Sequence, residues 1–391
     1  MSVRALENIR AALARRPTEL AAARAAGRKV IGWIGYNVPE ELIHACGLIP
    51  IRICQGGDSR LAEIGANYIS TQNCYFLRQC VGMFAENTDP YVKQLDVVVT
   101  DTTCLQLHRM AALLQHYFHV NVIQLGVPKH PQLPEGRRYF ASEVRHLIER
   151  LEAVAGTSLD TERLLVTLEL YQRIREVIRE LYRRVAEPNC AMQWRDAFEV
   201  VHAGFCLDRA EYLALLQDLL REVQALSDSA AENCFPHPHP VRILLAGSPI
   251  APHDTKLIDI AEKSGAQIAG DFLWTGFASL ADMELKEHSL QGLINCYLNR
   301  LPHAALPFME VDTDRKLSAL LEQIKQSRAQ GVIYYSLRFC DPFSFKMLAT
   351  KEYLKCEGVP LMEAQTDYGA MDTETLHTRV EAFIEMLAIR A

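Results

Sequence analysis

Three of the eleven cysteines occupy equivalent positions, each between an extended segment and a helical pattern. Cys104 follows the apolar run LDVVVT, Cys340 follows GVIYYSL, and Cys74 follows a turn at residues 71–73. In parallel α/β sheets, ligands bind at the carboxyl ends of the strands. A helix N-terminus also favours the thiolate, which is the form that ligates metal. Three separate parts of the chain therefore place a thiol where a metal site would form.

Three thiolates with no nearby pair of histidines favour an iron–sulfur cluster over a structural zinc site, because zinc sites usually present local C-x₂₋₄-C pairs. A [4Fe–4S] cluster normally has four cysteine ligands. If this chain supplies only three, one iron stays open to water, sulfide or substrate and can act as a Lewis acid or redox contact. Cys80 is the alternative fourth ligand, although a spacing of six residues places it well apart from Cys74 around a helix. Both arrangements stay open.

Composition and charge narrow the class of protein. The 391 residues carry 41 Lys and Arg against 48 Asp and Glu, a net charge of −7, and no basic block, which argues against a nucleic-acid ligand. The apolar runs are far shorter than the roughly 20 residues of a membrane span, so we expect no membrane association. Eleven cysteines without an export signal fit a reducing, cytoplasmic compartment, because extracellular thiols usually pair.

Two kinds of sequence pattern predict the elements that must position the thiols. Unbroken apolar runs of strand length alternate with helical patterns over residues 95–125, 241–270 and 331–389, which indicates parallel sheets covered on both faces. From 143 to 226 the pattern is almost wholly helical, with Asp160 or Thr161 as a cap. We therefore expect an α/β fold with an N-terminal helix (1–30), a first α/β domain (31–140), a helical segment (141–236) and a second α/β domain (237–391).

Several segments together resemble one family, that of the iron–sulfur components of 2-hydroxyacyl-CoA dehydratases, which includes benzoyl-CoA reductase subunits and double-cubane cluster proteins. They are GWIGYNVPEELIHACGLIPIRI (32–53), the NC-Y-F-L-R and TTC-x₄-R segments, FCDP, and TRVEAFIEML (378–387). The resemblance runs from about residue 30 to the end. It implies two Rossmann-like parallel-sheet domains with a cluster between them near a subunit interface. Carried over position by position, the ligands fall on Cys74, Cys104 and Cys340.

The resemblance also implies partners. Members of the family pair with a similar second subunit or with themselves, giving a homo- or heterodimer. They receive low-potential electrons from a separate ATP-hydrolysing activator with its own cluster, and they work under anaerobic conditions. The sequence contains neither G-x-x-x-x-G-K-[ST] nor G-x-G-x-x-G, so a nucleotide-driven step would come from such a partner.

Three positions depart from the family pattern. Trp274 and His303 stand where double-cubane members carry further cysteines, so we expect a single [4Fe–4S] cluster per chain ahead of a double-cubane [8Fe–9S] cluster, unless Cys80, Cys296 or Cys54 substitute. Phe277 follows Gly276, where members that handle acyl-CoA often have an arginine. The CoA substrate therefore stays open.

The resulting expectation is an enzyme subunit for low-potential redox chemistry. The reaction would be radical chemistry at an open cluster, either a lyase reaction of the 2-hydroxyacyl-CoA dehydratase type or an ATP-dependent reduction of the benzoyl-CoA reductase type. Two alternatives remain: a double-cubane-type reductase that acts on small substrates without CoA, and a non-catalytic subunit that relays electrons. The relay requires four protein ligands to the cluster.

Five further residues are candidates around the site. Glu40, Glu41 and His108 could handle protons, although glutamates are also normal in a first helical turn and His108 could be a solvated helix position. Arg338 and Arg109 lie close in sequence to two proposed ligands and could hydrogen-bond cluster sulfide or bind a substrate phosphate or carboxylate. Surface ion pairing is the alternative for both arginines.

Overall fold

The computed structural model describes residues 3–53, 56–187, 190–229, 240–280, 283–305 and 310–390, with the side chains of 310–313 left aside. Within these ranges the chain forms two four-stranded parallel sheets, of order β2-β1-β3-β4 and β6-β5-β7-β8. The two orders are the same pattern repeated, and both sheets are parallel throughout. The expected α/β class with two Rossmann-like sheets is confirmed.

The first sheet consists of β1 Val30–Ile34, β2 Ile49–Arg52, β3 Val97–Asp101 and β4 Val122–Leu125. Every residue of β1, β2 and β3 is buried, as expected for strands covered on both faces. Its helices are α1 Arg4–Ala25, α2 Glu40–Ala45, α3 Ser59–Gly65, α4 Tyr75–Glu86 and α5 Leu105–Phe118. A short 3₁₀ turn, Val92–Gln94, leads into β3.

The second sheet consists of β5 Val241–Gly247, β6 Ala266–Leu273, β7 Gly331–Leu337 and β8 Leu361–Thr366. Between them run α10 Lys256–Lys263, a 3₁₀ turn at Phe277–Ser279, α11 Leu290–Asn299, α12 Glu310–Ser327 and α13 Asp341–Cys356; α14 Thr373–Arg390 follows β8. Strand β6 runs three residues past the apolar run that predicts it, because Asp271 is buried there among hydrogen-bond donors.

Four helices fill the middle of the chain: α6 Pro134–Ala155, α7 Thr161–Val185, α8 Trp194–Gly204 and α9 Arg209–Ser229. Asp160 caps α7, since its side chain accepts hydrogen bonds from the backbone N–H groups of Glu162 and Arg163. Helix α7 touches both halves of the molecule. Arg175 pairs with Glu41 of α2, and Arg179 donates to the carbonyl of Leu280 after β6. The helical layer thus fixes the two sheets relative to each other.

Helices α3 and α4 approach each other unusually closely because each contributes a glycine to the contact. A Cβ atom on Gly65 would lie 1.9 Å from the carbonyl oxygen of Arg78, and one on Gly82 would lie 1.8 Å from that of Leu61. Only glycine fits at such distances. This contact anchors α4, whose first residue follows Cys74. No helix in the described part of the chain is long and apolar enough to cross a membrane.

Candidate metal centre

The structure brings the three equivalent cysteines together. Cys74, Cys104 and Cys340 are the residues immediately before α4, α5 and α13, and all three line one cavity of about 40 Å³ between the two sheets. Strands β3 and β7, which lead to two of them, are the corresponding strands of the two sheets. Strand β3 pairs with β1, and β7 pairs with β5. The strand order of each sheet reverses at this pair. Ligands bind outside the carboxyl ends of the strands at this switch point.

The thiols interact with one another and with helix N-termini. A hydrogen bond from the Cys340 thiol lowers the pKa of Cys74, and the backbone N–H groups of Leu77 and Phe76 act in the same direction. The same contact with Cys74, together with burial, raises the pKa of Cys340. Burial raises the pKa of Cys104. A metal bound to the three sulfurs would displace the protons that the thiols still carry.

The rest of the wall is apolar apart from two buried polar atoms. These are Nε2 of His303 and Oε1 of Gln106, neither of which has a hydrogen-bond partner among the described residues. His303 Nδ1 accepts from the backbone N–H of Ala305 at 3.0 Å, so Nε2 carries the proton. Burial lowers the pKa of His303 well below the usual value and keeps the ring neutral. The apolar wall consists of Phe76, Leu77, Leu107, Pro249, Trp274, Leu337, Pro342 and Phe343.

This donor set fits an iron–sulfur cluster. Three cysteines supply the sulfur ligands such clusters use, and an apolar cavity with one unused hydrogen-bond donor, the His303 Nε2–H, is the kind of surrounding that tunes them. Among the described residues, no three His, Cys, Asp or Glu side chains have the spacing to hold a single metal ion.

Two buried aspartates that the sequence patterns do not single out position the walls of the cavity. Asp101, at the end of β3, accepts hydrogen bonds from the backbone N–H of Asn37 at 2.6 Å and of Thr103 at 2.9 Å. It thereby ties the loop that carries Cys104 to the loop after β1. Gly35 makes room for this carboxylate, since a Cβ there would lie 2.5 Å from Oδ2 and its φ is +148°.

Asp271 has the corresponding positioning role in the second sheet. Its carboxylate accepts hydrogen bonds from the indole N–H of Trp194 at 2.8 Å and from the backbone N–H of Phe277 at 2.8 Å. The turn between Asp271 and Phe277 contains Trp274, which walls the cavity. The sequence signal is the "GD" after a strand, but only the fold shows that the aspartate acts on the turn.

The other candidate ligand and two of the candidate proton handlers do not line the thiol cavity. Cys80 is fully buried in α4 and is not among the residues that line the cavity. Glu40 pairs with Arg209, while burial raises the pKa of Glu40. Glu41 is completely buried, pairs with Arg175, and accepts a hydrogen bond from the Tyr297 hydroxyl at 2.9 Å. These contacts give both glutamates a structural role.

His108, Arg109 and Arg338 also lie outside the cavity lining. His108 is exposed on α5 and interacts through Nδ1 with the Gln124 side chain at 3.2 Å. Arg109 is exposed and donates to the side chain of Asn73 at 3.4 Å. Arg338 forms ion pairs of 3.3 Å with Asp367 and with Asp372. The roles predicted for these residues at a cofactor or substrate stay predictions.

The positions that depart from the family pattern have distinct surroundings. Trp274 and His303 both face the thiols. Phe277 packs its ring against Tyr182 at 5.5 Å, and the Cys296 sulfur lies 3.9 Å from that of Met283, outside the thiol cavity. Cys54 lies outside the described residues.

The molecule has two parallel Rossmann-like sheets joined by a helical layer, and three thiols lie between the sheets at their switch points. It therefore belongs to the class of proteins whose site is formed jointly by two similar α/β halves. Residues 35–387 match the sequence model of the 2-hydroxyglutaryl-CoA dehydratase D-component. The chain therefore belongs to this family, which confirms the resemblance found in the sequence.

Individual relatives are distant but align over most of their length. A benzoyl-CoA reductase chain of Thauera aromatica is 24% identical over 323 residues, covering 81% of this chain and 79% of the relative. The (R)-2-hydroxyglutaryl-CoA dehydratase subunit beta of Acidaminococcus fermentans is 24% identical over 374 residues, 95% of each chain. The (R)-phenyllactyl-CoA dehydratase beta subunit of Clostridium sporogenes is 22% identical over 370 residues, 92% of each.

Proposed function

We propose that this chain is the iron–sulfur subunit of a low-potential redox enzyme and that Cys74, Cys104 and Cys340 hold one [4Fe–4S] cluster. The observation that carries the proposal is the meeting of three thiols, drawn from distant parts of the sequence, in one apolar cavity at the switch points of both sheets. Family membership supports it, because the relatives are named as subunits of dehydratases and of a reductase.

A bound cluster would supply single electrons and one iron open to a substrate oxygen. The chain supplies the rest of the site. Phe76, Leu107 and Phe343 exclude water, which strengthens electrostatic contacts to a reacting group. His303 offers a buried Nε2–H that can donate to a carbonyl or hydroxyl oxygen within the cavity. The reaction we favour is reductive activation of a thioester, as in a 2-hydroxyacyl-CoA dehydratase or benzoyl-CoA reductase.

The enzyme would act with other chains. Relatives carry names of subunits, which supports pairing with a similar second subunit or with a second copy. The sequence has no P-loop, so the ATP-dependent input of electrons is assigned to a separate activator protein.

Two alternative functions differ in whether the fourth iron of the cluster has a protein ligand. In a relay subunit, Cys80 of α4, which is buried and does not line the cavity, would complete the cluster. In a reductase without a CoA substrate, the cluster would stay open and the thioester would be absent. Phe277, packed against Tyr182 where an arginine is common in acyl-CoA members, supports this second alternative over a CoA thioester substrate.

Iron and acid-labile sulfide counts with EPR on anaerobically purified protein test the proposal. We expect four irons per chain in the wild type and loss of iron in Cys104→Ser and Cys340→Ser. Cys356→Ser, which removes an exposed thiol from α13, is the matched control and should keep four. A changed EPR spectrum in Cys80→Ser would favour the relay, eight irons would favour a double cubane, and no iron in the wild type would refute all of these functions.

A further inference from the structure

A second cavity, of about 100 Å³, shares the Trp274 side chain with the thiol cavity but contains no cysteine. A single water molecule needs only about 10–15 Å³ of such space. The second cavity therefore has room for a small organic molecule. Its polar lining includes the side chains of Arg52, Arg175, Arg209 and Arg300.

The positive charges around this cavity outnumber the negative ones. Arg209 pairs with Glu40 and Arg175 with Glu41, which accounts for two of the four guanidinium groups. Arg300 instead donates to the carbonyl oxygens of Tyr36 and Ser279, and it has no carboxylate partner among the described residues. Arg52 likewise forms no ion pair within the described ranges, although the carboxylates of Glu40 and Asp101 act on its charge from a greater distance.

Arg52 is the most unusual of the four. Its side chain belongs to a residue only 7% exposed, yet the structure gives its guanidinium no hydrogen-bond acceptor within the described ranges. Its neighbours are aromatic faces: Phe205 at 4.3 Å, Trp33 at 5.4 Å and Trp274 at 5.8 Å from the ring centroids. Burial lowers the pKa of Arg52 to about 10, which still leaves it charged at neutral pH. Cation–π contacts alone leave its five N–H donors unused.

Two donors beside the cavity are themselves buried without a partner among the described residues. They are Nε of Arg300 and the indole Nε1 of Trp33. A buried charge and buried donors without acceptors are costly, so such a group persists where a ligand supplies the missing acceptors. An anionic ligand suits this site, because the lining carries four guanidinium groups and one carboxylate, that of Glu40.

We propose that this cavity binds a small organic carboxylate, whose oxygens accept hydrogen bonds from Arg52 and whose carbon body packs on Trp33, Trp274 and Ile178. The apolar part of the lining favours an organic anion over inorganic phosphate, since phosphate would leave those side chains uncovered. A planar carboxylate also matches the fork of a guanidinium. The inference goes beyond the proposed redox function and does not depend on a cluster.

Isothermal titration calorimetry on the full chain, with butyrate, glutarate, butyramide and inorganic phosphate as probes, tests this site. We expect a carboxylate to bind, and neutral butyramide, which has nearly the same shape, to bind at least tenfold more weakly. Arg52→Met should weaken carboxylate binding at least tenfold. Arg195→Met is the matched control, because Arg195 is a partly buried arginine that pairs with Asp259 and Glu262 outside this cavity. The affinity of this variant for the carboxylates should equal that of the wild type.

Circular dichroism and the melting temperature establish whether Arg52→Met is folded. If it is not, the wild-type comparison of butyrate with butyramide and the variant Arg300→Gln decide the matter. No heat from either carboxylate at millimolar concentration, equal binding of phosphate and carboxylates, or unchanged affinity in folded Arg52→Met would each overturn the proposal. Titrating samples of measured iron content keeps the two hypotheses separate, because iron content tests the cluster and the isotherm tests the anion site.

Discussion

Buried His202 predicts a specific loss of stability in mild acid. Its ring lies in α8 between Phe198 at 4.2 Å and Phe205 at 5.4 Å, and it is 5% exposed. Nδ1 donates to the Phe198 carbonyl at 2.8 Å, while Nε2 is buried without a partner within the described residues. Burial lowers the pKa of His202 to about 3, and the charge of Arg52 acts in the same direction.

The sign and size of the effect follow from proton linkage. Between pH 6.5 and about 3 the unfolded chain binds a proton at this histidine and the native chain does not, so the free energy of unfolding falls as the pH falls. Each pH unit below the unfolded pKa of about 6.5 costs about 1.4 kcal/mol. At pH 5 the loss is therefore about 2 kcal/mol relative to neutral pH. Above pH 7 the contribution is complete.

Urea unfolding of the full chain at pH 7.5 and pH 5.0 measures this loss, with the iron content held constant. We expect the wild type to lose about 2 kcal/mol more than His202→Phe over this interval, because the variant no longer titrates at this position. His146→Gln, which removes a histidine with an exposed side chain, is the control for the loss of a histidine as such. Identical pH dependence in wild type and His202→Phe would refute the assignment of His202 as a buried neutral imidazole.

Four further substitutions and one double variant test the contacts that hold the site in place. Asp101→Asn should lower the free energy of unfolding by about 1–3 kcal/mol and reduce iron per chain, because an amide cannot accept both backbone hydrogen bonds made by the carboxylate; unchanged iron would contradict its positioning role. Glu41→Gln and Arg175→Met should each cost about 3–5 kcal/mol in urea unfolding, while the double variant costs less than their sum; full additivity would rule out coupling. Gly82→Ala should cost about 3 kcal/mol or more, since the new methyl meets the carbonyl of Leu61, and a cost below 1 kcal/mol would show that α3 and α4 separate easily.

Much of the fold could be predicted from local pattern because the buried strands are unbroken apolar runs. The runs at 95–100, 241–247 and 331–337 lie on β3, β5 and β7, and the helical spacing from 143 to 226 lies on α6 to α9. Strands β1 and β2 carry a weaker signal, since only the six-residue helix α2 separates them and the whole stretch reads as apolar. The domain limits stay predictions, although the strands of each sheet fall within the α/β range expected for it, apart from Val30 at the start of β1.

The thiols could be predicted as a group because strand, thiol and helix recur in the same order, and parallel strands bring their carboxyl ends to one edge. The partners of the charged residues could not. Glu41 is 134 residues from Arg175, and the spacing of either residue gives no sign of the other. The same holds for Arg52, whose aromatic neighbours come from β1, from the end of α8 and from the turn after β6.

The distribution of the three thiols over both sheets sets an order of events during synthesis. Cys340 follows Cys104 by 236 residues, so a ribosome adding about 5–20 residues per second needs about 12–50 s to supply the third thiol after the second. Throughout that interval the second sheet does not yet cover Cys74 and Cys104, so both thiols stay accessible to oxidants. Any group that needs all three thiols can be enclosed only after the second sheet has folded, which makes loading of the site a late step in maturation.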